Sequence, residues 1–295
     1  MELTGCGTAL VTPFTADGAL DEAALEQHVR WQIESGIHFL VPAGTTGETP
    51  TLSDSEWLRV VEITVQVAAG RVPVIAGCTH NNTREAVERV ARLSQIKGLT
   101  GVLTANPYYN KPSQEGQYQH FKAIAEATPL PVVLYNIPSR TGVNMEPTTV
   151  VRLAAIKNVI AVKESSGNIV QIAEVISRVP AGFSVLAGDD AFALPVISIG
   201  GKGLISVASN ELPARMATMV GSALDGKWDT ARAEYHSLLP LMQANFWEPS
   251  PSPVKAVMAM MGRMSETLRL PLTPVTATTR AKLGAVAAEY GLLKN

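Results

Sequence analysis

The sequence has few of the residues and patterns that would indicate a metal, a nucleotide or a membrane. It contains only two cysteines and five histidines, and neither residue type shows the spacing of a metal site. A Walker A sequence and a full G-x-G-x-x-G are both missing, and no apolar run approaches the roughly 18 residues of a membrane span. The net charge of -2 gives no reason to expect nucleic acid or an acidic membrane as a partner. We therefore expect a protein without metal, nucleic acid or membrane contacts.

The composition is that of a globular protein with a large core. Hydrophobic residues make up 46% of the 295 residues, and charged residues make up 17%. The first residues lack the basic segment and apolar core of a secretory signal. From this pattern we expect a cytoplasmic location.

Short β-rich runs alternate with helical patterns over the first 224 residues. The predicted strands cover residues 7–12, 38–43, 73–77, 101–104, 131–135, 159–163, 184–187 and 203–207. Helix-start signals follow them: Asp21 is a plausible N-cap, and Ser53 with Glu56 fits a capping box. Nearly continuous apolar strands linked by helices imply a parallel sheet covered by helices. Eight such units predict a (β/α)8 TIM barrel for residues 1–224, with a doubly wound open sheet as the alternative.

The remaining residues, 225–295, show no strand pattern. They have the pattern of two or three helices interrupted by prolines at positions 249, 251, 253, 271 and 274. We predict that this segment is a helical C-terminal extension packed on the barrel.

A lysine, Lys163, ends the sixth apolar run. Burial on both faces of such a strand penalises an ammonium and favours the neutral amine, which makes Lys163 a candidate nucleophile. The alternative is that its side chain reaches the surface or pairs with Glu164.

Polar residues follow several of the predicted strands, where a TIM barrel places its chemistry. These segments are residues 44–49 (GTTGET), 106–110 (NPYYN), 135–142 (YNIPSRTG), 163–165 (KES) and 188–190 (GDD). Each has a simpler explanation: a tight loop for the threonines and glycines, a strand aromatic for Tyr135, a surface charge for Arg140, and helix capping for Asp189 and Asp190. Their common position at one rim, together with Lys163, favours an active site.

This set of residues suits Schiff-base chemistry on a small 2-oxo acid. Lys163 would attack the keto group and form an imine, and the enamine derived from it would attack an aldehyde. A tyrosine hydroxyl, that of Tyr135, hydrogen-bonded to a threonine would shuttle protons. The turn at 44–47 would bind the keto acid's carboxylate, and Arg140 a second carboxylate. Pyridoxal phosphate also uses strand-end lysines, but the nearest phosphate-type segment, residues 200–203, precedes the eighth strand.

Taken together, these segments resemble the class I aldolase superfamily of 4-hydroxy-tetrahydrodipicolinate synthases and N-acetylneuraminate lyases. The resemblance rests on residues 44–48, 135–142 and 162–164, and it extends to residues 248–255. The double threonine and residues 139–142 point to the dipicolinate branch, which implies condensation of pyruvate with L-aspartate 4-semialdehyde on the route to lysine. The alternatives are a sister aldolase or dehydratase acting on a sugar-derived 2-oxo acid, and a non-catalytic barrel that binds small acids. Arg140 favours the first reading, because a sugar tail needs hydroxyl partners and not a guanidinium.

The resemblance implies a catalytic set without an external cofactor. Lys163 would form the covalent imine with pyruvate. The proton relay would consist of Tyr135, Thr45 and, from a neighbouring subunit, Tyr109. A homotetramer built as a dimer of dimers is implied as well.

The resemblance also implies a substrate-binding set. Thr46 would hold the pyruvate carboxylate, and Arg140 would hold the carboxylate of the semialdehyde. Gly188 and Ile205 would line the pocket.

In relatives that lysine inhibits, the resemblance implies an allosteric pocket at the dimer interface. The matching residues Asn81, Glu85 and Tyr108 are present in this chain. Two positions on the helix after the threonine turn often hold histidine and are Asp54 and Trp57 here. This departure separates the chain from the lysine-inhibited pattern.

Overall fold

Eight parallel strands form a single sheet in a computed structural model that describes residues 2–293. The strands are β1 (Gly5–Ala9), β2 (Phe39–Val41), β3 (Ile75–Gly77), β4 (Gly101–Ala105), β5 (Val132–Asn136), β6 (Val159–Glu164), β7 (Ser184–Ala187) and β8 (Gly203–Ser206). Their order across the sheet is β2-β1-β8-β7-β6-β5-β4-β3.

The two outer strands of this order, β2 and β3, meet and close the sheet. Leu40 forms a parallel bridge with Val74, and the Leu40 N–H donates to the carbonyl of Pro73 at 2.9 Å. At the other end of the seam, the Gly77 N–H donates to the carbonyl of Pro42 at 2.9 Å. The predicted (β/α)8 barrel is therefore confirmed, and the alternative of an open sheet is wrong.

Helices connect the strands and continue beyond the last one. They are α1 (Glu22–Glu34), α2 (Asp54–Ala68), α3 (Thr83–Leu93), α4 (Gln114–Glu126), α5 (Pro138–Thr141), α6 (Pro147–Ala154), α7 (Ile169–Arg178), α8 (Ala193–Ser198), α9 (Pro213–Leu224), α10 (Trp228–Ala244), α11 (Ser252–Met260) and α12 (Ala277–Glu289). Asp21 caps α1 by accepting from the Ala24 N–H, and Ser53 and Glu56 form the complete capping box of α2. Both predicted caps are confirmed.

Two glycines inside β1 explain why this strand begins earlier than its apolar run predicts. A Cβ on Gly7 would lie 2.0 Å from the ring of Phe39, and one on Gly5 would lie 2.5 Å from the ring of His38. Glycine is therefore required in this strand by close packing of β2, although glycine in a sequence usually indicates a strand end.

Side chains alternate between the barrel interior and the outer layer along each strand. The interior cluster contains one or two residues from every strand, including Ala9, Phe39, Ile75, Leu103, Val133, Ala161, Leu186 and Ile205. The larger outer cluster lies between the strands and the helices, where Val162 of β6 packs. Because both faces of the strands are buried, the strands have the nearly continuous apolar sequence from which they were predicted.

The three helices after residue 225 pack together and against the barrel. Val254 and Met258 of α11 cluster with Val11 and Val207, which follow β1 and β8. A separate apolar cluster joins α10, α11 and α12. The division into a barrel (1–224) and an extension (225–295) stays a prediction, and its last two residues lie outside the described range.

The closing seam between β2 and β3 depends on a glycine. A Cβ on Gly77 would lie 1.9 Å from the carbonyl oxygen of Ala43, a backbone atom that moves only with the strand end. We expect Gly77→Ala to lower the free energy of unfolding by about 1–3 kcal/mol, the usual cost of overpacking a core. Urea denaturation followed by circular dichroism measures this change.

Gly221→Ala is the matched control, because Gly221 lies within α9 and a Cβ there meets no atom within 4 Å. Alanine in a helix interior should raise stability by about 0.5–1 kcal/mol. Equal stability changes in the two variants would contradict the packing argument for Gly77.

Candidate active site

The position of Lys163 follows from strand alternation in β6. Lys163 lies two residues after Ala161, which belongs to the barrel interior, so its side chain enters the interior as well. Its residue surface is only 6% exposed. The buried lysine expected from the sequence therefore lies at the end of a strand, inside the mouth of the barrel.

Tyr135 is the neighbour of Lys163 on β5. The two residues are paired in register, and the Lys163 Nζ lies 4.3 Å from the centroid of the Tyr135 ring. Tyr135 is 6% exposed, and its hydroxyl has no hydrogen-bond partner among residues 2–293. The simpler expectation of a half-buried tyrosine with a satisfied hydroxyl is therefore wrong.

Glu164 points away from Lys163, because adjacent residues of a strand face opposite sides. Its carboxylate accepts hydrogen bonds from the Ser166 N–H at 2.8 Å and from the side-chain amide of Asn136 at 3.2 Å. Within the described residues no carboxylate lies at ion-pair distance from Lys163. The alternative of a Lys163–Glu164 pair is wrong.

The Glu164 carboxylate belongs to a buried amide network behind the site. Asn136 also donates to the side-chain oxygen of Asn144 at 2.8 Å, and Asn144 donates to Gln171 on α7 at 2.8 Å. Burial raises the pKa of Glu164, while its hydrogen bonds oppose the shift. The network fixes both ends of the segment between β5 and α6, and this segment carries Arg140.

The turn after β2 has a compact, internally bonded backbone. The N–H groups of Gly47 and Glu48 donate to the carbonyls of Gly44 and Thr45 at 3.1 and 3.0 Å. From the segment after β1, the Thr12 hydroxyl donates to the Gly47 carbonyl at 2.7 Å. The turn is thereby fixed against the barrel mouth.

The two threonines of this turn have different environments. Thr46 is buried at 6% exposure, whereas Thr45 is exposed. Because Thr45 faces solvent, the expected hydrogen bond between a threonine and the Tyr135 hydroxyl is missing from residues 2–293. The relay of Tyr135, Thr45 and Tyr109 stays a prediction.

Tyr109 is the most exposed large hydrophobic residue of the described chain, at 89%. It lies in the loop between β4 and α4 and has a left-handed backbone (φ 73°), which is uncommon for a residue with a side chain. Its side chain therefore projects from the subunit and does not enter the mouth beside Lys163.

Arg140 lies in the last turn of α5, a short helix that the sequence analysis missed. Its side chain is largely exposed, and Nη2 donates to the Ser250 carbonyl oxygen in the loop before α11 at 3.4 Å. The guanidinium keeps most of its donors available, as a carboxylate-binding residue requires.

Gly188 and Ile205 end the neighbouring strands. A Cβ on Gly188 would lie 2.0 Å from the Ser165 hydroxyl oxygen and 2.9 Å from Cγ and Cε of Lys163. Any larger residue at position 188 would therefore displace the side chain of Lys163. Ile205 is fully buried in the barrel interior, one layer below the rim.

The two aspartates after β7 have separate structural roles. Asp189 accepts from the Ala191 N–H at 2.9 Å and caps a short 3-10 helix, as the simpler explanation expected. Asp190 is buried, and one of its oxygens accepts from the N–H groups of Val207 and Ala208 at 3.1 and 3.0 Å. This pair of bonds ties the end of β7 to the end of β8.

Asp54 and Trp57, the two positions at which the chain departs from the lysine-inhibited pattern, share two arginine partners. Trp57 is fully buried, and its indole N–H donates to the Gly77 carbonyl at 2.9 Å. The guanidinium groups of Arg89 and Arg92 lie 5.1 and 5.7 Å from its ring and pair with Asp54. The hydrogen bond from Arg92 lowers the pKa of Asp54.

The predicted allosteric residues lie close to this cluster. Asn81 donates to the Tyr108 carbonyl at 3.3 Å, and Glu85 lies in the first turn of α3. Asn81 and Tyr108 are therefore in contact, and their role stays a prediction.

A second buried lysine, Lys255 on α11, was missed. Its Nζ lies 2.6 Å from Glu48 Oε1, and both side chains are fully buried. Burial lowers the pKa of Lys255, and the Glu48 carboxylate opposes that shift. The available signal was the apolar sequence on both sides of this lysine, residues 253–258 (PVKAVM).

The described residues offer neither a metal cluster nor a membrane-spanning helix. Histidine, cysteine, aspartate and glutamate side chains form no cluster of three or more suited to a metal in residues 2–293. In the same range, no helix is both long and apolar enough to cross a membrane.

Comparison with known proteins gives matches over the whole length of the barrel and extension. The sequence model of the dihydrodipicolinate synthetase family matches residues 2–290. The 4-hydroxy-tetrahydrodipicolinate synthase of Koribacter versatilis is 59% identical over 295 residues, 100% of this chain and 98% of the relative. The enzyme of the same name from Acidobacterium capsulatum is 59% identical over 294 residues, 99% of this chain and 97% of the relative. The crystal structure of dihydrodipicolinate synthase from Aquifex aeolicus has a TM-score of 0.97 at 41% identity and covers 99% of this chain and 100% of that chain.

Asp190 should make stability depend on pH. Burial raises the pKa of Asp190 from 3.8 to about 6, and the nearby Asp189 contributes in the same direction. Between these values the folded chain retains a proton that the unfolded chain has lost, so the stability contributed by this group falls as pH rises. Asp190→Asn removes the cost of ionising this buried carboxyl, so its free energy of unfolding relative to the wild type should grow by about 2 kcal/mol from pH 4 to 6.

The measurement is the free energy of unfolding of both proteins in urea between pH 4 and pH 8. Asp229→Asn is the control, because the Asp229 side chain is fully exposed. Its free energy of unfolding should have the same pH dependence as that of the wild type. A constant difference between Asp190→Asn and the wild type over this range would contradict the assignment.

Proposed function

The chain belongs to the dihydrodipicolinate synthetase family, and we propose that it is a lyase that condenses pyruvate with L-aspartate 4-semialdehyde to 4-hydroxy-tetrahydrodipicolinate. This reaction lies on the diaminopimelate route to lysine. The observation that carries the proposal is the position of Lys163: it is buried in the barrel interior, next to Tyr135 and without an ion-pair partner among the described residues. A buried amine without an ion-pair partner is suited to forming an imine.

The proposed reaction begins at the Lys163 amine. Nζ attacks the keto carbon of pyruvate to give a carbinolamine, which loses water and becomes an imine. Loss of a proton from the pyruvate methyl carbon gives an enamine, and this carbon attacks the aldehyde carbon of the semialdehyde. The semialdehyde amine then attacks the imine carbon, which closes the ring and releases Lys163. All atoms come from the two substrates and water, so no external cofactor is needed.

We assign the proton transfers to Tyr135, whose ring lies next to the amine, with Lys163 Nζ 4.3 Å from the ring centroid. Thr45 and a Tyr109 from a second copy of the chain would connect this hydroxyl to solvent. The exposure of Tyr109 at 89% and of Thr45 supports their availability to another subunit. Association of subunits would then supply the hydrogen bond that the isolated chain lacks.

We assign pyruvate binding to the turn after β2 and to the β7 end. Thr46, buried at 6% exposure, and the two N–H groups that the turn does not use internally, those of Thr45 and Thr46, are suited to a carboxylate. Gly188 keeps space free beside Lys163, and Ile205 forms an apolar floor. Arg140 would bind the carboxylate of the semialdehyde, because its guanidinium is exposed at the same rim.

A homotetramer stays a prediction. Two exposed apolar sites are consistent with two kinds of subunit contact: Tyr108 and Tyr109 on one side, Val170 and Ile199 on another. The cytoplasmic location also stays a prediction. The set of Asn81, Glu85 and Tyr108 remains a predicted effector site, and the buried Trp57 with its two arginines supports a response to lysine that differs from the inhibited pattern.

Trapping with borohydride tests the proposal directly. Incubation with pyruvate and borohydride should reduce the imine and leave a covalent adduct on Lys163, which peptide mass mapping locates. Mapping also separates Lys163 from the second buried lysine, Lys255, which should stay unmodified. An unmodified wild-type chain would refute the enzyme proposal, and Lys163→Ala is the control.

Substrate assays distinguish the aldolases. Synthase activity with pyruvate and aspartate semialdehyde should exceed cleavage of N-acetylneuraminate and of 2-keto-3-deoxygluconate. Faster cleavage of either sugar acid would assign the chain to the sister activity.

Arg140→Ala should impair use of the semialdehyde much more than imine formation with pyruvate. Loss of hydrogen bonds to a charged group typically costs 1.5–3 kcal/mol, so kcat/KM for the semialdehyde should fall roughly 10- to 100-fold. The rate of imine trapping with pyruvate should change by less than about threefold, because Lys163 and Thr46 are unaffected.

Arg152→Ala is the matched control, since Arg152 is a surface arginine of α6 paired with Glu115 at 2.9 Å. It should leave both measurements unchanged. An equal loss of semialdehyde use and imine formation in Arg140→Ala would contradict the role assigned to Arg140.

A further inference from the structure

A buried ion pair joins the C-terminal extension to the turn that carries Thr45 and Thr46. The Lys255 ammonium donates to Glu48 Oε1 at 2.6 Å and to the Thr12 carbonyl oxygen at 3.0 Å. It also faces the ring of Phe14 at 4.4 Å from the centroid. All three of its hydrogens therefore have a partner, and the amine is not free to act as a nucleophile.

The second oxygen of Glu48 is also engaged. Glu48 Oε2 accepts from the Arg269 N–H at 3.1 Å. The Arg269 guanidinium in turn forms two bonds to Glu56, at 2.6 and 2.9 Å, and donates to the Thr51 carbonyl at 2.9 Å. These bonds hold the pKa of Glu56 down, to about 2. Two cations of the extension thus contact the turn and the start of α2.

Glu48 has a backbone conformation that needs support. Its φ of 54° and ψ of 33° lie in the left-handed region, which residues with a side chain adopt at a free-energy cost. Its N–H nevertheless closes the turn on the Thr45 carbonyl at 3.0 Å. The buried side-chain contacts of Glu48 therefore add to the bonds within the turn and to the Thr12 bond in holding this conformation.

The same part of the extension contacts the other side of the mouth. The Ser250 carbonyl oxygen accepts from Arg140 at 3.4 Å, and α11 begins two residues later. The extension therefore contacts Arg140 directly, and it contacts the turn that carries Thr46 through Glu48.

We propose that Glu48 and Lys255 are positioning residues that hold Thr46 and the N–H groups of its turn in place for the carboxylate of the keto acid. The inference rests on the proposed function, because it uses the role assigned to Thr46. Neither side chain touches a reacting atom, since both are fully buried behind the turn. Their loss should weaken pyruvate binding while leaving the chemistry at Lys163 intact.

The test uses the double variant Glu48→Gln with Lys255→Met. A single buried charge without its partner would be strongly destabilising. The double variant removes both charges and should therefore fold. We expect KM for pyruvate to rise about tenfold or more, while kcat falls less than about threefold, because loss of binding common to ground and transition states appears in KM. Borohydride at saturating pyruvate should still label Lys163.

The single variant Glu48→Gln provides a second measurement of the pyruvate KM, which remains available if the double variant does not fold. Its amide oxygen still accepts from Lys255, but its NH2 group faces the Arg269 N–H, so one contact becomes repulsive. The pyruvate KM should rise in this variant too. Leu283→Ala is the matched control: Leu283 is fully buried in the apolar cluster of the extension, remote from the turn.

The outcomes are distinct. An unchanged pyruvate KM in the folded variants, or an equal rise in Leu283→Ala, would overturn the positioning role. A fall in kcat as large as the rise in KM would overturn it as well, because it would place the pair in the chemistry. Failure of the wild-type chain to form the pyruvate adduct would instead refute the proposed function.

Discussion

Closure of a parallel sheet is the constraint from which the rest of this structure follows. The hydrogen bonds between β2 and β3 turn an eight-stranded sheet into a barrel, so that every strand has an inner and an outer face. Alternation along β6 then sends Lys163 inward and Glu164 outward. Closure also brings the ends of all the strands to one rim, where residues far apart in sequence meet.

The features predicted correctly from the sequence are those set by local patterns. Apolar runs located the strands, and the Ser53 capping box marked the start of α2. Lys163 was identified because a charge at the end of such a run is visible without any partner. The early start of β1 was missed because its glycines are explained by contacts with β2, which no local pattern records. The exposure of Thr45 could not be predicted for a similar reason, since the orientation of its side chain depends on its surroundings.

Of the two buried lysines, the sequence pattern identified Lys163 and not Lys255. Lys163 has an aromatic neighbour and no ion-pair partner in the described chain, whereas Lys255 is paired with a carboxylate 207 residues earlier. Burial is common to both, and the partner decides between a reactive amine and a structural cation. A partner at that separation cannot be found from spacing, which is why the sequence pattern did not single out Lys255.

The contact between Glu48 and Lys255 has a consequence for the order in which the protein acquires its shape. A ribosome releases all eight strands before it releases Lys255 and Arg269. The nascent barrel can therefore close while the Glu48 carboxylate is still hydrated and its turn is free to move. The contacts of Glu48 with Lys255 and Arg269 can form only after these last residues have emerged. The turn after β2 therefore gains these contacts last.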